Sequence, residues 1–152
     1  MTLTTTYVPP GGGTSYVMID GTHVAKTAVR DDHATFEVFE VTAHAGAPTP
    51  PHVSPWTGVL YVLEGTIAAQ VDDESVEAGP GGLVVMPGGS RCGFHVVGER
   101  ARFLAITSSD RAGRFFADFA ATVTPDHPLE AALPAILAVT DRHGVAVIPP
   151  TG

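Results

Sequence analysis

The sequence contains little cysteine and no long apolar segment. Cys92 is the only cysteine among the 152 residues, so the chain cannot form an internal disulfide. A disulfide framework is thereby excluded, and a lone cysteine suits a reducing compartment. No apolar run approaches the ~20 residues that a membrane-spanning helix needs. Residues 1–7 also lack the basic and apolar regions of a signal peptide, so we expect a cytoplasmic protein.

Positive charge is equally scarce. Eight Lys and Arg residues stand against 16 Asp and Glu residues, which gives a formal net charge of −8, and Lys26 is the only lysine. An acidic chain without a basic run is a poor partner for nucleic acid or for an anionic membrane. These two classes of partner are therefore not expected, whereas a small-molecule ligand stays open.

Glycine and proline are abundant, with 17 and 13 residues. Turn signals recur about every ten residues in the first two thirds of the chain, which is typical of an all-β sandwich or barrel. Three turns stand out: Asp20-Gly21, expected as a type I′ hairpin turn, Glu64-Gly65, and Gly98 to Arg100. The predicted strands are 15–19, 22–29, 35–43, 59–63, 67–71, 75–78, 83–86, 92–97 and 101–108.

The pattern changes after residue 110. Phe115, Phe116 and Phe119 have helical spacing, which predicts an amphipathic helix over 111–123 with these rings in the core. A second helix is predicted over 129–143, with Asp126 as its N-cap and Gly144 just beyond its end. Residues 145–148 are expected to add an edge strand. We therefore divide the chain into an N-terminal arm (1–14), a barrel (15–109) and a helical cap with a tail (110–152).

Three segments carry a resemblance to a known family. They are the approach Pro-Pro-His at 50–52, the strand Tyr-Val-Leu-Glu-Gly at 61–65, and the frame from Gly82 through Pro87-Gly88 to Cys92. Together they resemble the two sequence motifs of the cupins, and the helical tail is similar to that of small quercetinase-like monocupins. The resemblance covers roughly residues 15–150. It implies an all-β fold, a single cupin (jelly-roll) barrel with a short C-terminal helical cap, and commonly a homodimer.

The resemblance also implies where a metal would be bound. The four ligand positions of metal-bearing cupins fall on His52, Ser54, Gly58 (with Thr57 beside it) and Cys92. Only one of these is the expected ligand, and a protein zinc site usually wants three or four. We therefore expect no resident cofactor. The alternative is one divalent transition metal held by an altered set that includes His52 and Cys92.

If the fold holds, His52 and Cys92 line one cavity. Such a pair suits a nucleophile and a base, or His52 acting alone as a general base. Cys92 has the alternative role of a small apolar filler where a ligand was lost. No third group that would orient this pair is evident in the sequence. Ser54 and Thr57 are the expected hydrogen-bonding neighbours of a substrate.

The remaining wall of the cavity is expected to be apolar. Its candidate residues are Phe36 or Phe39, Trp56, Leu60, Val62, Met86, Phe94 and Phe103. Trp56 would either stack on a flat ligand or plug the emptied metal site. His95, three residues after Cys92, is expected on the opposite face of its strand, and His44 precedes a proline-rich crossing near the barrel mouth. The other histidines are expected on the surface: His23, His33, His127 and His143.

Three functions follow from these residues. The first is a metal-independent isomerase, cyclase or lyase that acts on a flat apolar or aromatic metabolite through His52. The second is a metal-dependent quercetinase-like dioxygenase with an altered ligand set. The third is a non-catalytic ligand-binding barrel.

Overall fold

The computed structural model describes residues 5–46, 50–124, 126 and 128–148. The first strands are β1 (Thr14–Met18), β2 (Gly21–Arg30), β3 (Thr35–His44), β4 (His52–Val53) and β5 (Gly58–Val71). They are followed by β6 (Glu74–Ala78), β7 (Leu83–Met86), β8 (Arg91–Thr107) and β9 (Ala146–Val147). The helices are α1 (Ala112–Thr122) and α2 (Leu129–Arg142), which lie between β8 and β9. The expected all-β fold with a short helical cap is confirmed.

The sheet is organised around β8. Its strand order is β1-β2-β3-β8-β4-β9, while β5 pairs with β6, β7 and β8. Residues 92–97 and 102–107 of β8 pair antiparallel with β5. Residues 100–107 also pair with β3, and the Arg91-Cys92 end pairs with β4. The sheet therefore curls, and side chains from β3, β5 and β8 meet on its inner face. None of the helices in the described part of the chain is long and apolar enough to cross a membrane.

Two predicted turns are wrong. Neither Glu64-Gly65 nor Gly98 to Arg100 reverses the chain, because β5 and β8 each run through as one long strand. The pairing of β5 with β8 shifts its register on both sides of Glu64, and Gly65 and Gly98 have φ of 76° and 95°. Glycine permits such a bulge, which bends a strand without ending it. A strand bend and a tight turn use the same residue types, so the sequence alone did not separate them.

Two local details also differ from expectation. The β1–β2 hairpin forms, but its turn is not type I′, because Asp72 is the only described non-glycine residue with positive φ and Asp20 is therefore excluded. The side chain of Asp20 is instead held by His23. Asp126 is not a helix cap: the N-cap of α2 is Pro128, with no side-chain hydrogen bond. Gly144 does follow α2 with φ of 71°, as expected.

Helix α1 supplies aromatic rings to the core. Phe115 and Phe119 are buried, and Phe116 packs edge-on against Phe39 of β3, with ring centroids 4.9 Å apart. These contacts confirm that the aromatic stripe belongs to the core. On the sheet side, Phe39, Val62 and Phe103 are at most 1% exposed. Helix α1 therefore covers the part of the inner face around Phe39.

A buried carboxylate fixes the start of α1. Glu37, on the inner face of β3, accepts hydrogen bonds from Thr107 Oγ1 (3.2 Å) and from the amides of Ala112 (3.0 Å) and Gly113 (3.1 Å). The first amides of a helix lack partners within the helix, and a negative charge is favourable there. A Cβ on Gly113 would lie 2.8 Å from Glu37 Oε1, so a larger residue here would displace the carboxylate. Glu37 therefore ties the cap to the sheet.

Candidate functional site

His52 and Cys92 are neighbours in the sheet. They are directly opposed Cα partners on β4 and β8, and such pairs project their side chains to the same face. The Nδ1 atom of His52 lies 3.2 Å from the carbonyl oxygen of Pro50. Because a carbonyl only accepts, Nδ1 carries the proton, and Nε2 of the neutral ring is left with the lone pair. The ring is thus oriented with its basic nitrogen away from Pro50.

Cys92 is buried, with 6% of the residue exposed. Burial, and after it the nearby charge of Asp72, raises the pKa of this thiol. Only the thiolate is a good nucleophile, so the environment of Cys92 favours a neutral, packed side chain near pH 7. This observation supports the role of Cys92 as a filler over its role as a nucleophile.

The donor set does not fit a cupin metal. Beside His52 and Cys92, the implied ligand positions hold Ser54 and Gly58. In the described ranges, no group of three or more His, Cys, Asp or Glu side chains is arranged to hold an ion. Since zinc sites in proteins usually take three or four such ligands, we derive no step through a metal.

An acidic side chain that was not among the candidates from sequence lies near His52. Asp20, in the turn between β1 and β2, has Oδ1 3.2 Å from Nε2 of His23. The His23 side chain is only 8% exposed, so its expected surface position is wrong. It occupies an inner-face position of β2 opposite Val41, and its ring centroid is 4.6 Å from that of Phe116. Apolar neighbours on both sides explain its burial.

The charges around Asp20 outweigh its burial. Burial alone raises the pKa of the Asp20 carboxyl, but the charge and hydrogen bond of His23, a backbone hydrogen bond and the charge of His52 lower it, and the net pKa lies below the usual value. Asp20 is therefore ionised at neutral pH, and His52 is close enough to act on it. The only signal for this pair in the sequence was an acidic residue three positions before a histidine. It was missed because Asp20-Gly21 also fits a hairpin turn.

A cavity of about 380 Å³ opens beside Asp20. Its lining includes Met18, Asp20, Pro50, Phe94 and Leu129. His52 is not on this lining, but two of its partners are, namely Pro50, whose carbonyl it contacts, and Asp20, whose pKa it lowers. The volume and the mostly apolar wall are those of a small-ligand site. A second hollow of about 320 Å³ lies across β5, β6 and β8 and shares Phe94 and His95 with the first.

Most of the residues predicted to form the apolar wall of the cavity are instead buried in the hydrophobic core. Phe94 lines the cavity, whereas the structure buries Phe39, Leu60, Val62 and Phe103 in the core and packs Met86 against it. Phe36 lies on the outer side of β3, since the inner side carries Glu37 and Phe39. Trp56 is 8% exposed and packs on Phe115, with ring centroids 6.0 Å apart, which supports its role as a plug.

Ser54 and Thr57 brace the loop after β4. The Ser54 carbonyl accepts from the amide of Gly89 (3.0 Å), and Thr57 Oγ1 accepts from the amide of Gly88 (3.0 Å). These bonds join the loop after β4 to the turn after β7, and only Thr57 uses its side chain in them.

The other histidines separate into three groups. His44 and His95 are exposed and line the cavity, and His95 does lie on the face opposite Cys92. His33 is exposed, as expected. His143 is partly buried, with Nε2 2.8 Å from Asp118, and His127 lies outside the described residues.

Comparison with known proteins shows similarity to one family. Residues 39–107 match the family model described as "Cupin domain". The polyketide cyclase RemF from Streptomyces resistomycificus is 26% identical, with a TM-score of 0.57 over 68% of this chain and 79% of that chain. KdgF from Halomonas sp. is 17% identical, with a TM-score of 0.63 over 73% and 99%. Streptomyces PAC13 with uridine is 15% identical, with a TM-score of 0.57 over 70% and 83%. No curated protein sequence matches the chain.

Proposed function

Because this chain contains a cupin domain, we propose that it is a small-molecule enzyme that transfers a proton at His52 without a resident metal. Its substrate is a flat, apolar or aromatic metabolite that binds in the cavity beside Asp20 and extends past Pro50 of the cavity wall to reach His52, which lies outside the lining. The reaction belongs to the isomerase, cyclase or lyase type, since each of these can begin with removal of a proton from carbon or oxygen.

The observation that carries the proposal is the fixed orientation of His52. Its Nδ1–H donates to Pro50, so Nε2 is the nitrogen that accepts a proton from substrate. Loss of the substrate proton turns the ring into an imidazolium, whose positive charge is stabilised by the ionised Asp20 nearby. The Pro50 carbonyl thus orients the histidine base, and the Asp20 carboxylate balances the charge that the base gains. Return of the same proton to another atom of the substrate would complete an isomerisation.

The likeness to RemF supports the substrate class. That protein is a polyketide cyclase, and the sequence identity with it is 26%. KdgF and PAC13 fall below 25% identity, and they support the fold alone. The mostly apolar lining beside Asp20 is compatible with a fused-ring or polyketide-like compound.

Deuterium exchange tests this proposal without knowledge of the natural substrate. The probe is 6-hydroxy-2-tetralone, a flat bicyclic ketone with one hydroxyl group, whose protons next to the carbonyl exchange with D₂O when a base removes them. Proton nuclear magnetic resonance measures the rate above buffer for the wild type, His52→Ala and the exposed control His33→Ala. General base catalysis is worth at least about 100-fold, so we expect His52→Ala to fall to the buffer rate and His33→Ala to match the wild type.

Three results would contradict the proposal in different ways. Binding of tetralone without any exchange by the wild type would favour the non-catalytic barrel. Oxygen consumption with quercetin that appears only after addition of iron, copper, nickel, manganese or zinc would favour the dioxygenase with an altered ligand set. Equal exchange by the wild type and His52→Ala would reject His52 as the base.

The homodimer, the cytoplasmic location and the domain bounds stay predictions. Exposed apolar side chains do cover one part of the outer sheet face, where Tyr61 is paired with Leu83 and Val59 with Val85 on β5 and β7. Sedimentation equilibrium of the purified protein measures its mass directly and tests the dimer.

A further inference from the structure

We infer that Asp20 is the polar anchor of the cavity, and that the ligand is a neutral or cationic apolar molecule with a hydroxyl or N–H donor. This inference rests on the proposed function, because it takes the cavity as the place where the substrate of that function binds. It adds the chemical group by which the substrate is recognised and excludes carboxylates and other anions.

The shape of the cavity separates an apolar entrance from a charged interior. Val17, Ile19 and Leu129, which all line it, are 53%, 40% and 49% exposed. Their side chains come from β1, from the β1–β2 turn and from the start of α2. Asp20 lines the same cavity, but its side chain is only 15% exposed. A ligand that enters past the apolar residues therefore meets a carboxylate that bulk water reaches poorly.

The Asp20 carboxylate is held in place by His23, on the side toward the core. His23 donates Nε2–H to Oδ1 of Asp20, and its ring packs on Phe116 of α1. Its other nitrogen, Nδ1, is buried and has no hydrogen-bond partner within the described residues. A carboxylate offers about four acceptor positions, so the bond to His23 leaves capacity for a donor from a ligand. His23 is thus a positioning residue, and Asp20 is the residue that contacts the ligand.

The negative charge of Asp20 decides which polar head groups of a ligand can bind beside it. An ionised carboxylate in a partly buried site accepts strong hydrogen bonds from ammonium or hydroxyl donors. A second anion at the same place would face like-charge repulsion at reduced dielectric constant. The formal net charge of −8 adds to this bias against anions.

Four naphthalenes with one body and different head groups test the inference. The probes are 1-naphthylmethylamine, 1-naphthol, 1-methoxynaphthalene and 1-naphthoate, and isothermal titration calorimetry at pH 7 measures their affinities. We expect the amine and the naphthol to bind about tenfold or more tightly than the methoxy compound, because a hydrogen bond to a charged group is worth about 1.5–3 kcal/mol. The naphthoate is expected to bind weakest.

Two variants then test whether Asp20 causes the preference among head groups. Asp20→Asn should lower the affinity for the amine by about tenfold or more and raise the affinity for the naphthoate. The control is Asp32→Asn, which removes the same charge from the exposed turn between β2 and β3 and should preserve the order of the four affinities. Circular dichroism confirms that each variant is folded. The order of affinities in the wild type is a second reading that needs no variant.

Each failure has a distinct meaning. Equal affinity of naphthol and methoxynaphthalene, an unchanged order in Asp20→Asn, or no binding of any probe would overturn the role of Asp20. If the wild type shows no tetralone exchange that depends on His52 but keeps the order of affinities, only the proton transfer is rejected. An intact His52-dependent exchange with no preference among head groups would reject only the anchor.

Discussion

Asp20 and His23 form a hydrogen-bonded pair between the β1–β2 turn and the inner face of the sheet, with Oδ1 3.2 Å from Nε2. The pair connects the open cavity on one side to the aromatic core on the other, because Asp20 lines the cavity and His23 packs on Phe116. A buried nitrogen without a partner, such as His23 Nδ1 in the described structure, costs about 1–3 kcal/mol. Polar groups kept at that cost are often found at functional sites.

The pair predicts how stability depends on pH. The pKa of Asp20 is lower in the folded protein than its usual value of 3.8. Its ionisation therefore stabilises the fold fully above about pH 4, and this contribution is lost as the pH falls through the lower, folded pKa. His23 lowers this pKa by its charge and hydrogen bond, and His52 lowers it by the charge that its ring carries when protonated, against the opposing effect of burial.

Urea unfolding from pH 7 to pH 3 measures this contribution. The difference in unfolding free energy between the wild type and Asp20→Asn should be constant near neutrality and shrink in acid. The same difference for Asp32→Asn should stay close to zero throughout. A wild-type advantage over Asp20→Asn that grows as the pH falls would contradict a lowered pKa for Asp20 in the folded protein.

Cys92 should be unreactive in the folded protein. Burial raises the pKa of its thiol, so the thiolate that attacks a disulfide reagent is scarce near pH 7. We expect dithionitrobenzoate to label the native protein far more slowly than the urea-unfolded protein, and Cys92→Ala to keep the tetralone exchange. Rapid labelling of the native thiol, together with loss of exchange in Cys92→Ala, would support Cys92 as a catalytic nucleophile.

Removal of the charge on Glu37 should loosen the cap. Glu37→Gln keeps the shape but weakens the hydrogen bonds to the first turn of α1, and bonds to a charged group are worth about 1.5–3 kcal/mol. We expect a loss of that size in the free energy of urea unfolding. The matched control Glu74→Gln, at the exposed start of β6, should change it by less than about 0.5 kcal/mol. Equal stability of the two variants would show that Glu37 does not anchor the cap.

Two glycines at strand bends should differ in their tolerance of alanine. Gly65 and Gly98 both have positive φ, which costs an alanine about 1–2 kcal/mol. A Cβ on Gly65 would also clash with the carbonyl oxygen of Arg100, whereas a Cβ on Gly98 meets nothing within 4 Å. Thermal unfolding should show a small loss for Gly98→Ala and a much larger loss for Gly65→Ala. Similar melting temperatures would contradict the close approach of β5 and β8.

The sequence predicted the fold well where its signals were local. Alternating strands, the helical spacing of Phe115, Phe116 and Phe119, and the glycine after α2 all identified elements that form. The errors at Gly65 and Gly98 arise because glycine permits both a strand bend and a turn, and only pairing with a distant strand decides between them. The burial of His23 likewise depends on contact with α1, about 90 residues away in sequence, so no local pattern could predict it.

The tetralone exchange rate, measured before and after removal of metal, shows whether proton transfer by this protein needs a metal. The protein is purified without a histidine tag, treated with a chelator, dialysed and checked by elemental analysis. Metal-independent proton transfer at His52 predicts the same exchange rate before and after treatment, and its loss in His52→Ala in both preparations. An exchange rate that disappears with the chelator and returns with one equivalent of a transition metal would contradict the account.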